Sequence, residues 1–262
     1  MRITYRHHGG NQAYWRERWE QAPADSGGLN LTAYPGRFAE EALAGTRGPV
    51  LEAGCGLGRV LRHYHSQGRE IVGLDFIASA LAKIRTQDPG LPLLAGDVTG
   101  LPFADASFAA VLAFGVYHNL PAGVAEALAE CRRVLTPGGV LCASVRADNL
   151  HNRGIDWLAA RRAGTAPGQT KVFHKANFTA AEYTALLEAA GFRPRALHFV
   201  ENYPLLYKFR AFRAAGHKRF DEGLARAEGY RLSGSGRALQ ALCNRLWPAQ
   251  FCNTLVAIAE AA

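Results

Sequence analysis

Glycines at alternate positions, three acids and a histidine are the residues here whose types and spacing could do chemistry. The stretch Glu52-Ala53-Gly54-Cys55-Gly56-Leu57-Gly58 lies between a short apolar run, Pro49-Val50-Leu51, and a helix-compatible segment, residues 60–65. Glycine at such a turn permits positive φ and lets a ligand lie against bare backbone. The unpaired N–H groups of the helix that follows favour a carboxylate or a phosphate. The expected ligand is small and partly anionic. The spacing departs from the dinucleotide fingerprint, whose third small residue would fall three places after Gly56, where Arg59 stands. The competing reading is a glycine turn that only packs a helix on a sheet.

The elements that must position these residues can be read from periodicity. From Pro49 onward strand and helix patterns alternate, which argues for βαβ units and a largely parallel sheet. Residues 70–76 form a strand that ends in Asp75, 17 residues beyond Gly58, close to where an open α/β sheet offers a carboxylate to a ribose. A vicinal diol needs a two-oxygen acceptor, and a carboxylate supplies one. Phe76, next in line, can offer its face or edge to an adenine ring. Residues 91–98 are a third strand, tipped by Asp97 and Val98, and residues 108–114 a fourth, which delivers Tyr117, His118 and Asn119 to the carboxyl edge of the sheet. Ligands of open α/β folds bind at that edge, so His118 is the catalytic candidate, as a general base. The competing reading is a histidine that hydrogen-bonds locally and shapes the pocket.

The pattern Glu52-x-Gly54-x-Gly56-x-Gly58 resembles the first motif of the class I S-adenosylmethionine-dependent methyltransferases. The resemblance continues in Asp97-Val98, in the approach to the fourth strand at 101–112, and in Arg133-Val134-Leu135-Thr136-Pro137-Gly138-Gly139, so it covers about residues 48–146. It implies an α/β, Rossmann-like sheet of seven mostly parallel strands flanked by helices. The last strand, residues 253–259, is antiparallel and inserts between the fifth at 140–145 and the sixth at 196–200. It also implies S-adenosylmethionine as cofactor and S-adenosylhomocysteine as product, held by Glu52, Gly54, Cys55, Gly56, Asp75, Phe76, Asp97, Val98 and Phe114. In this family the acid at Asp97 accepts from the adenine amino group and the N–H of Val98 donates to the ring.

Residues 1–47 are expected to form a helical lid, with Trp15 and Trp19 on one helix face beside Tyr14. The domain proper is expected over 48–262, with a variable insertion at 147–178 and a cap before the last strand at 203–248. Tyr14, Trp19, Tyr117, His174 and Tyr203 are the acceptor-site candidates, and His151 is a further histidine of the insertion. The aromatics and histidines also have ordinary structural readings, as packing or solvent-facing groups.

The reaction these expectations describe is methyl transfer to a small-molecule acceptor, with oxygen ahead of nitrogen. The alternatives are a non-catalytic S-adenosylmethionine-binding regulatory protein and a nicotinamide-dependent oxidoreductase. Nucleic acid is disfavoured as substrate, because Gly115-Val116-Tyr117-His118 stands where base-amino methyltransferases carry Asn/Asp-Pro-Pro-Tyr. Composition agrees with a globular enzyme: 262 residues, 48% hydrophobic and 20% charged. No apolar run approaches the roughly 18 residues of a membrane span, so a cytoplasmic location is the default. Five cysteines without a CxxC pair signal neither a disulfide framework nor a zinc site, and no metal is expected. The net charge of +8, from 30 basic against 22 acidic residues, points to an anionic partner. Much of it lies in the basic, aromatic stretch 207–220, which reads as a cap for an anionic or membrane-associated acceptor, or as a solvated helix with aromatics turned inward. The patterns do not specify the oligomeric state.

Overall fold

The computed structural model describes residues 1–6, 10–22, 28–163, 171–201, 204–216 and 230–262. A strand, β1 (Arg2–Arg6), opens the chain and is followed by helices α1 (Asn11–Gln21) and α2 (Gly36–Leu43). The expected alternation then appears as β2 (Val50–Ala53), α3 (Arg59–Ser66), β3 (Ile71–Asp75), α4 (Ala78–Gln87) and β4 (Leu93–Ala95). It continues through β5 (Phe108–Ala113), α5 (Val124–Val134) and β6 (Leu135–Arg146). Beyond it come α6 (Leu150–Ala163), β7 (Val172–Asn177), α7 (Ala180–Ala189), β8 (Phe192–Val200), α8 (Gly234–Leu246), α9 (Pro248–Phe251) and β9 (Thr254–Ala261).

Seven strands form one sheet in the order β4-β3-β2-β5-β6-β9-β8. The pairs from β4 to β6 are parallel, and β9 runs antiparallel between β6 and β8, which is the topology the family resemblance implies. Strands of this kind need apolar side chains on both faces because helices cover both. All four residues of β2 are buried. Leu51, Val111 and Leu141 face one apolar layer with Leu128 of α5 and Tyr183 of α7. Val50, Ala110 and Cys142 face the other, with Phe38 of α2, Leu61 of α3 and Ile84 of α4. Chain order reverses at β2, which pairs with β3 on one side and β5 on the other, and ligands of open α/β sheets gather at such a point.

Local signals hold where they are strong. Thr179 caps α7 in a full capping box with Glu182. All five cysteines are free thiols. Among the described residues no helix is long and apolar enough to cross a membrane.

Two expectations need correction. The segment 1–47 is not wholly helical, because β1 pairs antiparallel with β7 in a separate two-stranded sheet. The stretch 147–178, expected as a variable insertion, holds α6 and β7. Side chains tie these parts together: Arg2 Nε donates to Asp148 Oδ1 at 2.6 Å and Arg2 Nη2 to Asp156 Oδ2 at 2.9 Å. The fifth strand also begins earlier than expected, at Leu135, because Phe108 pairs with Leu135 before a register shift.

Candidate functional site

At the carboxyl end of β2 the chain turns through Gly54 (φ +75°) and Gly56 (φ +55°). A Cβ on Gly54 would lie 2.3 Å from Val116 Cγ2, and one on Gly56 2.8 Å from Trp19 Cζ2, so both positions require glycine for space as well as for backbone conformation. Two acids brace the bend. Asp75, at the tip of β3, accepts from the Gly56 N–H at 2.8 Å and from the Ile77 N–H at 2.9 Å, one bond on each oxygen. Burial raises its pKa, while the N–H groups of Ile77, Gly56 and Phe76 pull it down. Glu52 accepts from the N–H of Leu61, in the first turn of α3, at 2.8 Å. Burial pushes its pKa up to about 8, against the pull of that N–H and of Arg59.

The bend opens into a cavity of about 840 Å³. It brings together all nine residues expected on the cofactor side: Glu52, Gly54, Cys55, Gly56, Asp75, Phe76, Asp97, Val98 and Phe114. Asp97 Oδ1 accepts from the N–H and the hydroxyl of Thr99, at 2.9 and 2.8 Å, which fixes its carboxylate at the tip that follows β4. Phe76 keeps nearly half of its surface exposed.

Helix α1 roofs this side. Trp15 and Trp19, one turn apart, stack with centroids 5.4 Å apart and pack on Leu57, Ile77 and Ala80. The helix has no fully buried residue, so it depends on ties at its ends. Lys83 of α4 donates to the carbonyls of Trp19 at 3.0 Å, Glu20 at 3.1 Å and Ala22, where a helix C-terminus favours a cation. At the other end Asn11 Nδ2 donates to the carbonyl of Asn119.

The opposite end of the cavity has different chemistry. His118 lies on a short 3-10 turn, Tyr117–Asn119, after β5 and lines the cavity with Asn119, Arg146, Lys175, Asn253 and Thr254. Burial lowers the His118 pKa well below its ordinary value. Lys175, Arg146 and His174 push the same way, and a backbone hydrogen bond at Ser144 opposes them. The imidazole is therefore neutral. Asn119 Nδ2 lies 3.5 Å from His118 Nε2 and donates to the carbonyl of Gly115 at 2.5 Å.

Arg146 is held from behind by Asp156 Oδ1 at 2.5 Å and Asn177 Oδ1 at 2.6 Å. Ser144 Oγ accepts from the Gly115 N–H at 2.9 Å and lies 2.9 Å from the Tyr34 hydroxyl, which joins β6 to the turn and to the segment before α2. Sequence reasoning missed Arg146 and Lys175. Arg146 could have been found, since it ends β6 at the same edge as Asp75 and His118. Lys175 could not, because its strand is placed by long-range pairing with β1 and by contacts with β6 and the turn of His118.

Several acceptor candidates are placed elsewhere. Tyr117 is fully buried, with its hydroxyl 3.0 Å from Cys131 Sγ, because it enters the turn facing α5 while His118 faces the cavity. Tyr14 does not line the cavity; it packs edge-on against Trp15 on the outer side of α1. His174 is the extra residue of a bulge in β7, opposite the step from Thr4 to Tyr5, and it helps to lower the His118 pKa. His151 is buried in α6 away from the cavity. Trp19 does line it. Tyr203, like residues 217–220 of the basic stretch, lies outside the described residues.

Comparison with known proteins gives the arrangement its context. Residues 51–143 match a family model described as a methyltransferase domain. Over 143 residues the chain is 37% identical to a probable S-adenosylmethionine-dependent methyltransferase of Mycolicibacterium smegmatis, covering 55% of this chain and 51% of that protein. It is 42% identical over 94 residues to a demethylmenaquinone methyltransferase of Renibacterium salmoninarum, covering 35% and 38%. The chain thus spans about half the length, or less, of these relatives. Among solved structures it is similar to a chain of the Haloferax volcanii complex between the Trm112 methyltransferase activator and a methyltransferase, with a TM-score of 0.61 at 19% identity over 94% of this chain and 97% of that one. It is also similar to the Burkholderia thailandensis 1,6-didemethyltoxoflavin-N1-methyltransferase, solved with S-adenosylhomocysteine, with a TM-score of 0.50 at 19% identity over 94% and 82%. At such identities the likeness concerns the fold. Residues 51–143 are therefore a methyltransferase domain, set in a chain with the fold of the class I S-adenosylmethionine-dependent methyltransferases.

Proposed function

We propose that the chain binds S-adenosylmethionine in this cavity and transfers its methyl group to a small-molecule acceptor, at an oxygen that is anionic or readily ionised. The observation that carries the first part is the bare-backbone bend at Gly54 and Gly56, ringed by acids at three strand tips. The residues present fit such a cofactor. The N–H groups of Gly54, Cys55 and Gly56 are taken by Leu74 and Asp75, so it is the first turn of α3 that can offer N–H groups to a carboxylate. Asp75 presents a two-oxygen acceptor on the cavity wall, which suits a ribose diol. Asp97, Val98, Phe76 and Phe114 offer a polar edge and ring faces for an adenine. The volume suits a donor of this size together with a small acceptor.

The cofactor supplies a methyl group already activated on a sulfonium, so the protein's own residues need only align the acceptor, exclude water and manage its proton. A histidine held well below its usual pKa is a weak base. It can take a proton from an acidic hydroxyl, but an ordinary alcohol would demand more. Arg146 and Lys175 on the same wall favour an acceptor that arrives as an anion, and the acids of the cavity lie at its other end. These observations support oxygen over nitrogen.

The test has two stages. Calorimetry with S-adenosylhomocysteine should give saturable heat. No heat, with saturation by a nicotinamide nucleotide, would return the chain to an oxidoreductase reading. Labelled S-adenosylmethionine is then offered with matched carboxylates, phenols, amides and amines. Label should enter the carboxylates or phenols, and Lys175→Gln should raise their KM roughly tenfold or more while sparing S-adenosylhomocysteine affinity. Label in amines, with Lys175→Gln silent, overturns the acceptor assignment alone. Binding without label transfer to any compound of a metabolite extract leaves a regulatory binding protein.

A further inference from the structure

Helix α8 is turned inside out. Its inward stripe is Gly236 and Gln240, both buried, whereas its outward stripe is Leu239, Leu242 and Leu246, with Leu242 51% and Leu246 53% exposed. A surface helix ordinarily does the reverse, burying its leucines and wetting its polar residues. The helix runs into Trp247, 59% exposed, and Leu150 of α6, also exposed, lies beside α9, its N–H 3.3 Å from Gln250 Oε1. Apolar side chains at this density on one outward face call for a non-aqueous partner.

The charges around the face identify that partner. Residues 204–216 and 230–251 contain Lys208, Arg210, Arg213, Arg231, Arg237 and Arg245 and not one Asp or Glu, while residues 217–229 between them carry three bases and three acids. Arg237 and Arg245 stand exposed on α8 itself, flanking the leucines. The neighbouring carboxylate, Glu201, is turned inward to Gln240 and Asn244, which donate to its Oε2. A second copy of the chain on this face would set cation against cation. An anionic lipid surface meets both needs at once, with headgroup charge for the arginines and an acyl boundary for the leucines and the tryptophan, whose amphipathic ring suits that depth.

We infer that the face formed by α8, Trp247 and the start of α6 docks the protein on membranes carrying anionic lipid. The same segment leads through α9 into Asn253 and Thr254 of the cavity wall, so a docked molecule holds its acceptor end close to the lipid surface.

The experiment is co-sedimentation of the full chain with phosphatidylcholine vesicles containing phosphatidylglycerol, against phosphatidylcholine alone. Binding should require phosphatidylglycerol and weaken as salt rises. Arg237→Gln/Arg245→Gln and Leu242→Ser/Leu246→Ser should each lower the partition coefficient roughly tenfold or more. All four side chains are exposed, so unchanged melting of the variants shows that folding is not the cause of the loss. Failure to sediment with phosphatidylglycerol vesicles at low salt overturns the proposal. So does binding that ignores both variant pairs, or a dimer in sedimentation velocity that Leu242→Ser/Leu246→Ser dissolves while vesicles are ignored.

Discussion

Glu52 keeps its proton to about pH 8 because the fold takes it out of water and gives it one N–H in return. In the unfolded chain the same group titrates near 4.5. Between these values the unfolded chain has released a proton that the folded chain still holds, so unfolding is favoured as pH rises. The stability associated with Glu52 is therefore complete below about 4.5 and is lost as pH climbs toward 8. Glu52→Gln keeps the acceptor oxygen and removes the titration. Urea unfolding across this range should show the wild type losing stability relative to Glu52→Gln as pH rises. Parallel curves would mean that Glu52 ionises normally. The acid's presence next to the glycines was legible in the sequence. Its role as a buried prop for the first turn of α3 was not, because that depends on which way the side chain turns. Tyr117 and His118 teach the same lesson: adjacent residues of one short turn, one in the core against Cys131 and the other on the cavity wall.

At the scale of elements, α1 holds its place by few means. It buries no residue completely, and its last turn is gathered by one ammonium from α4. Lys83→Met retains the stem and removes the donor. It should cost about 1 kcal/mol locally, seen as faster amide hydrogen exchange across Asn11–Gln21 with the exchange of β2 and β5 unchanged. Uniform acceleration across the sheet would instead make α1 part of the global folding unit. The parallel core was readable from sequence because each βα unit carries its own signals within about a dozen residues: an apolar run, an acid at the tip, a glycine or a cap. The antiparallel place of β9 came from family resemblance, since nothing in residues 253–259 names its neighbours. β1 had no comparable signal. Residues 2–5 alternate between half-buried and exposed, and only the partner strand some 170 residues away makes them part of a strand.

Across the whole molecule the cavity draws its two ends from different parts of the chain. The large sheet and α3 supply Glu52, the glycine bend, Asp75 and Asp97, whereas Lys175 comes from β7 and Arg146 leans on Asp156 of α6 and Asn177 of β7. The first end follows contiguous motifs and was therefore visible in the sequence. The second is assembled by long-range pairing and ion pairs and was not.

The pairing of β1 with β7 has a consequence for how the molecule could be taken apart. Six residues at the head of the chain act as a splint for a lysine more than 160 positions away, and their strand pairs with none of the strands that bear the glycine bend. Trimming residues 1–6 should therefore leave the affinity for S-adenosylhomocysteine near its original value, by calorimetry, while turnover of any acceptor collapses. Donor recognition and acceptor recognition would then prove to be separable modules of one small protein.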